Sequence, residues 1–202
     1  MAETLRVFVS ASRDAEELRG IIGKVAARLP VRVSMEIRRT PREKATYEEI
    51  FERVANCDRV YVILGRDISA PMGTEWEIAR ELERPIVALR GNGPLSPAAH
   101  IFLAWTRARW LTFRTPEELA QWVMWDLIDL LLHPKNRYGL TPDEVHKLLL
   151  FRKQLAVQEV VQGEAGGTEG GGVLLDDIRR EPLEGQLLQS PEEETGESST
   201  GD

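Results

Sequence analysis

The sequence predicts an α/β fold: an open, parallel, five-stranded sheet with helices on both faces, followed by a C-terminal helix and a disordered tail. Three observations point to it. Short apolar, β-branched runs alternate with stretches of helical period along residues 5–133, and such alternation builds a parallel sheet through crossover helices. The run Val60-Tyr61-Val62-Ile63-Leu64 is apolar without a break, as in strands covered on both faces. From about Gly163 the composition turns to Gly, Glu and Ser, with too little apolar surface to offset chain entropy.

The elements follow in order. Residues 5–10 read as a buried first strand, with the polar Ser10-Ala11-Ser12 at its carboxyl edge. Asp14 with Glu17 has capping-box spacing and predicts a helix start, and Leu18, Ile21, Ile22, Val25 and Leu29 give that helix an apolar face until Pro30. Residues 31–35 alternate and predict the second strand. Thr46 with Glu49 predicts a second capped helix, striped by Tyr47, Ile50, Phe51 and Val54. The third strand is residues 60–64, and residues 65–73 read as a loop. Thr74 is read as the start of a third helix that ends at Arg84-Pro85. Residues 85–89 make the fourth strand, with Pro permitted at its first position. A short helix over residues 98–105 and a fifth strand over 109–113 follow. Thr115-Pro116-Glu117-Glu118 and Thr141-Pro142-Asp143-Glu144 are strong helix starts, one opening a helix that stops before Pro134, the other a helix that runs to about Gln162. The expected division is an α/β domain over residues 1–135, a helical extension over 136–162 and an acidic tail over 163–202.

The net charge of −7 is carried by that tail, which holds 11 Asp/Glu against 2 Lys/Arg and leaves the rest near +2. No basic stripe with interleaved aromatics predicts nucleic-acid binding; the densest cluster is Arg38, Arg39, Arg42 and Lys44, which reads as a solvated loop. No apolar run reaches the roughly 18 residues of a membrane span, and the N-terminal residues carry no signal-peptide pattern. With one cysteine, Cys57, no intrachain disulfide can form, and a cytoplasmic location is expected. His100, His133 and His146 are scattered without ligand spacing, so no metal site is expected. The tail's apolar islands, Val173-Leu174-Leu175 and Leu187-Leu188, are either docking motifs or incidental.

The segment Gly73-Thr74-Glu75-Trp76-Glu77-Ile78-Ala79, with Arg84-Pro85-Ile86-Val87-Ala88-Leu89 after it, resembles the Gly-Thr-x-x-Glu region of nucleoside 2-deoxyribosyltransferase-like proteins. Val7-Phe8-Val9-Ser10-Ala11-Ser12-Arg13-Asp14 is similar to the first box of TIR-like domains, and Cys57-Asp58-Arg59-Val60 fits the polar-Asp pair before their central strand. The likeness spans roughly residues 6–90. Where the transferases place an acidic pair before Gly-Thr, this chain has Pro71-Met72, and its nearest acid is Asp67. The resemblance implies a flavodoxin-like or TIR-like sheet, and it implies that Glu77 is the catalytic carboxylate of an N-glycosidic bond hydrolase or transferase. Breaking such a bond creates an oxocarbenium-like centre that a carboxylate stabilises or captures.

The residues themselves leave two readings of Glu77 open, because Thr74-x-x-Glu77 is also a capping box. In the functional reading Glu77 faces an open pocket, with Ser10, Ser12 and Asp14 on its other wall and Asp67, Gly73, Thr74 and Trp76 around the substrate. Ser10, Ser12 and Asp14 stand at a strand-to-helix turn that suits a ribose or phosphate, and Trp76 either stacks on a base or fills the core. No cofactor is expected; NAD or a nucleotide enters as substrate or ligand. The alternatives are a non-catalytic nucleotide-binding module and a TIR-type protein-interaction module in signalling or defence. In these, the C-terminal helix or the tail meets a protein partner or a second copy.

Overall fold

The computed structural model describes residues 2–39 and 46–165. Five strands, β1 (Leu5–Ala11), β2 (Met35–Arg39), β3 (Arg59–Leu64), β4 (Ile86–Gly91) and β5 (Trp110–Phe113), form one sheet in the order β2-β1-β3-β4-β5. Every neighbouring pair is parallel. The helices are α1 (Arg19–Ala26), α2 (Tyr47–Ala55), α3 (Ala70–Glu81), α4 (Pro97–Thr106), α5 (Pro116–Leu132) and α6 (Pro142–Ala165). This is the doubly wound, flavodoxin-like strand order.

Side-chain alternation divides the core in two. Leu5, Val7, Val9 and Ala11 of β1 join Tyr61 and Ile63 of β3 beneath α1 and α5, with Leu148 of α6 completing that layer. Phe8, Val60, Val62 and Leu64 face the other way, against Ile50 and Val54 of α2, Met72, Trp76, Ile78 and Ala79 of α3, and Phe102 of α4. The first layer also holds a buried polar group. The Tyr61 hydroxyl donates to Asp126 Oδ2 at 2.5 Å, and Arg59 Nη2 stands 3.1 Å from Asp126 Oδ1. Burial pushes the Asp126 carboxyl up despite the Arg59 charge, and burial with the Asp126 charge pushes the Tyr61 phenol well above its ordinary value.

Capping boxes at Thr46/Glu49 and Thr141/Glu144 form as the sequence predicts, and Thr115 caps α5 by accepting from the Glu118 amide at 3.2 Å. Several boundaries differ from the sequence reading. Asp14 and Glu17 make no capping box: Arg13–Leu18 is a 3-10 turn whose N-cap is Ser12, and α1 begins only at Arg19. The reason is that the Asp14 carboxylate is engaged elsewhere, by the Arg66 amide. The second strand is Met35–Arg39 rather than residues 31–35. Its register pairs Leu5 with Met35, with the Leu5 amide donating to the Ser34 carbonyl at 2.8 Å; before Leu5 the chain has turned away, with the Glu3 amide donating to the Arg137 carbonyl, so residues 31–33 have no ladder to join. The third helix starts at Ala70, not at Thr74, because Ser69 takes the N-cap position and Pro71 fits the first turn. Finally, α6 continues to Ala165. The cluster residues Arg42 and Lys44, the islands Val173-Leu174-Leu175 and Leu187-Leu188, and the tail from residue 166 lie outside the described residues. Arg38, at the described end of the cluster, is occupied by Glu36 through two hydrogen bonds of 2.8 and 2.9 Å.

Candidate functional site

In open parallel sheets the strand order reverses at a switch point, and ligands bind there beyond the carboxyl ends. Here that point lies between β1 and β3. Ser10, Ser12 and Asp14 leave β1 on one side, and Gly65, Arg66 and Asp67 leave β3 on the other. The two loops are tied to each other. Ser12 Oγ accepts from the Gly65 amide at 2.9 Å, and Asp14 Oδ2 accepts from the Arg66 amide at 2.6 Å. Burial pushes the Asp14 carboxyl up, but the Arg66 amide and the Ser12 hydroxyl outweigh it and hold the group below its ordinary 3.8. The carboxylate lies so close to Gly65 that a Cβ there would overlap it. Asp67 Oδ1 accepts from the Ile68 amide at 2.8 Å and from the Ser96 hydroxyl, and the Ser96 amide donates to the Arg66 carbonyl at 2.7 Å. Ser12, Asp14 and Asp67 thus spend these oxygens on holding the β3–α3 loop. Ser10 lies on the Phe8 face of β1, turned toward the α3 layer; it is wholly buried, and its Oγ has no hydrogen-bond partner among the described residues.

On α3 the helical period sorts the remaining candidates. Met72, Glu75, Trp76 and Ala79 turn inward and are buried. Trp76 is a core residue, stacked on Trp110 at 5.6 Å and meeting Phe102 edge-on at 5.6 Å. Glu75, a fully buried carboxylate, escaped the sequence reading. The signal was present, since Glu75 interrupts an otherwise apolar stripe. Thr74 is no cap. It sits inside the helix and its hydroxyl donates to the Ala70 carbonyl at 3.3 Å. Glu77 therefore does not fold back on the Thr74 amide; its Oε2 accepts from Arg80 Nε at 2.8 Å, on a side chain about one third exposed.

Glu77 lines an open groove of about 570 Å³ along the length of α3. Ala70, Gly73, Thr74 and Glu81 share the α3 side with it, and Tyr47 from α2 and Trp105 from α4 flank it. Both aromatic rings are about half exposed. Gly73, Thr74 and Glu77 are thus brought together, while Ser10, Ser12, Asp14 and Asp67 are not among the residues lining this groove. Tyr47, Glu81 and Trp105 were not read as site residues from the sequence, because three separate helices bring them to one place and no local spacing records that. Among the described residues no group of His, Cys, Asp and Glu could hold a metal ion, and no helix is long and apolar enough to cross a membrane.

No protein-family model matches the chain, and no curated protein matches it. Among solved structures, the CMP N-glycosidase BcmB of Clostridium botulinum is similar over 58% of this chain and 97% of that one, with 16% identity and a TM-score of 0.42.

Proposed function

We propose that this protein cleaves the N-glycosidic bond of a nucleoside-type substrate (nucleoside, nucleotide or NAD), with Glu77 as the working carboxylate. The observation that carries the reading is the position of Glu77, which lines an open groove between two exposed aromatic rings instead of serving as a helix cap. A carboxylate on one face of a sugar stabilises or captures the oxocarbenium-like centre formed as the bond breaks. Tyr47 and Trp105 offer flat apolar surface to a base, and the Thr74 hydroxyl oxygen, whose proton goes to the Ala70 carbonyl, can accept from a sugar hydroxyl. Arg80 orients the carboxylate through its Nε. The test is incubation of the full chain with nucleosides, nucleotides and NAD, read by product chromatography. Release of free base, lost in Glu77→Gln, supports the reading; no product from any of them overturns it.

A second reading is a non-catalytic module, favoured by exposed apolar side chains on the same helical layer. Ile101 is 70% exposed, and Phe51 accompanies Tyr47 and Trp105 at the surface. A protein partner or a second copy would meet that layer or the exposed Leu149, Leu150 and Val157 of α6. Binding without turnover distinguishes it.

A further inference from the structure

Among the described residues, the charged side chains lining the groove are Glu77 and Glu81, and both are acidic. Arg80 neutralises the first from the rim, through a contact of 2.8 Å, so the groove keeps a negative balance. Tyr47 and Trp105 line it as well, two aromatic residues that the protein leaves about half in water. Aromatic rings beside carboxylates attract a flat cation twice over, through the ring quadrupole and through charge. The negative balance that remains disfavours a phosphate.

We infer that the groove selects nucleosides whose base carries a positive charge and whose sugar carries no phosphate, such as purine nucleosides alkylated at N7. The inference rests on the N-glycosidase reading for what happens next. Water adds to the anomeric carbon and the carbon–nitrogen bond breaks. The bonding pair neutralises the cationic base, which leaves as a neutral molecule, and the added water loses one proton to solvent. A base that is already positive needs no proton donor to depart, so a single well-placed carboxylate suffices.

The experiment titrates 7-methylguanosine, guanosine and 7-methylguanosine 5′-monophosphate into the full chain by calorimetry, with products followed separately by chromatography. The cationic nucleoside is expected to bind at least about tenfold more tightly than either of the others, and Trp105→Ala is expected to weaken the cationic nucleoside more than guanosine and so narrow that advantage. Equal affinity for all three, tighter binding of the monophosphate, or no binding overturns the selectivity. The two readings fail differently: a chain that cleaves other nucleosides or NAD without this preference keeps the N-glycosidase reading and loses the cation. A chain that prefers 7-methylguanosine yet releases no base from any substrate keeps the selectivity and loses the chemistry.

Discussion

Asp14 shows how one carboxylate changes the meaning of a motif. Its spacing to Glu17 is that of a cap, yet its oxygen accepts from the Arg66 amide 52 positions away, and the absence of a side chain at Gly65 makes room for it. Gly65→Ala and Asp14→Ala should therefore each cost about 1–2 kcal/mol, the scale of a charge-assisted hydrogen bond near the surface, and the double mutant should cost hardly more than either. Additive losses in urea denaturation would show that the two residues act independently. The carboxyl is held below 3.8, so its contribution is complete above that value and disappears as pH falls through the lowered one. The stability gap between wild type and Asp14→Asn should accordingly close in acid. Asp126 gives the opposite case, a carboxylate placed beneath the sheet. Asp126→Ala leaves Arg59 buried without its partner and should cost about 3–5 kcal/mol; a loss below about 1 kcal/mol would mean that the pair is not a structural element.

Among the elements, those with signals inside their own segment were legible. The stripes of α2 and α5 and the boxes at Thr46 and Thr141 needed no tertiary information, and the unbroken apolar run of β3 was found within one residue. Replacing Thr46 by Ala should cost about 1 kcal/mol, measured by thermal or chemical unfolding, because it deprives the Glu49 amide, in the first turn of α2, of the hydroxyl oxygen that accepts from it. An unchanged midpoint would mean that this helix end is held by packing alone. The second strand was misplaced for the complementary reason. Residues 31–33 alternate as well as any strand, but where β2 begins is decided by where β1 begins, and a single segment carries no trace of its partner's register. The start of α3 was missed because Thr74 and Ser69 are both plausible caps, and the first turn went to the one followed by Pro71. As for the candidate site, the Gly73-Thr74-Glu77 side could be read from sequence, whereas the aromatic flanks from α2 and α4 could not.

At the scale of the whole molecule, the sheet separates two layers with different work. Beneath α1, α5 and α6 lies the larger apolar cluster with its buried ion pair, and the groove lies on the opposite, outward side of α3. The acidity that dominates the chain is concentrated in the last forty residues of the sequence. A chain ending after Ala165 loses 10 acidic and 2 basic residues, which moves its formal net charge from −7 to +1. We predict that this truncation leaves Tm within a few degrees while reversing ion-exchange behaviour. A large drop in Tm would mean that residues 166–202 contribute to the stability of the folded layers.

The ties between the β1 and β3 loops have a consequence for exchange with solvent. The Gly65 and Arg66 amides lie just past a strand end, where loop amides ordinarily swap hydrogen for deuterium quickly. Theirs are donated to Ser12 Oγ and Asp14 Oδ2, so exchange requires those side chains to let go. These two positions are built-in clocks for opening of the crevice where sheets of this kind hold their ligands. Slow exchange at Gly65 and Arg66 would describe a crevice sealed by the protein's own side chains, and a ligand that entered there would have to quicken it.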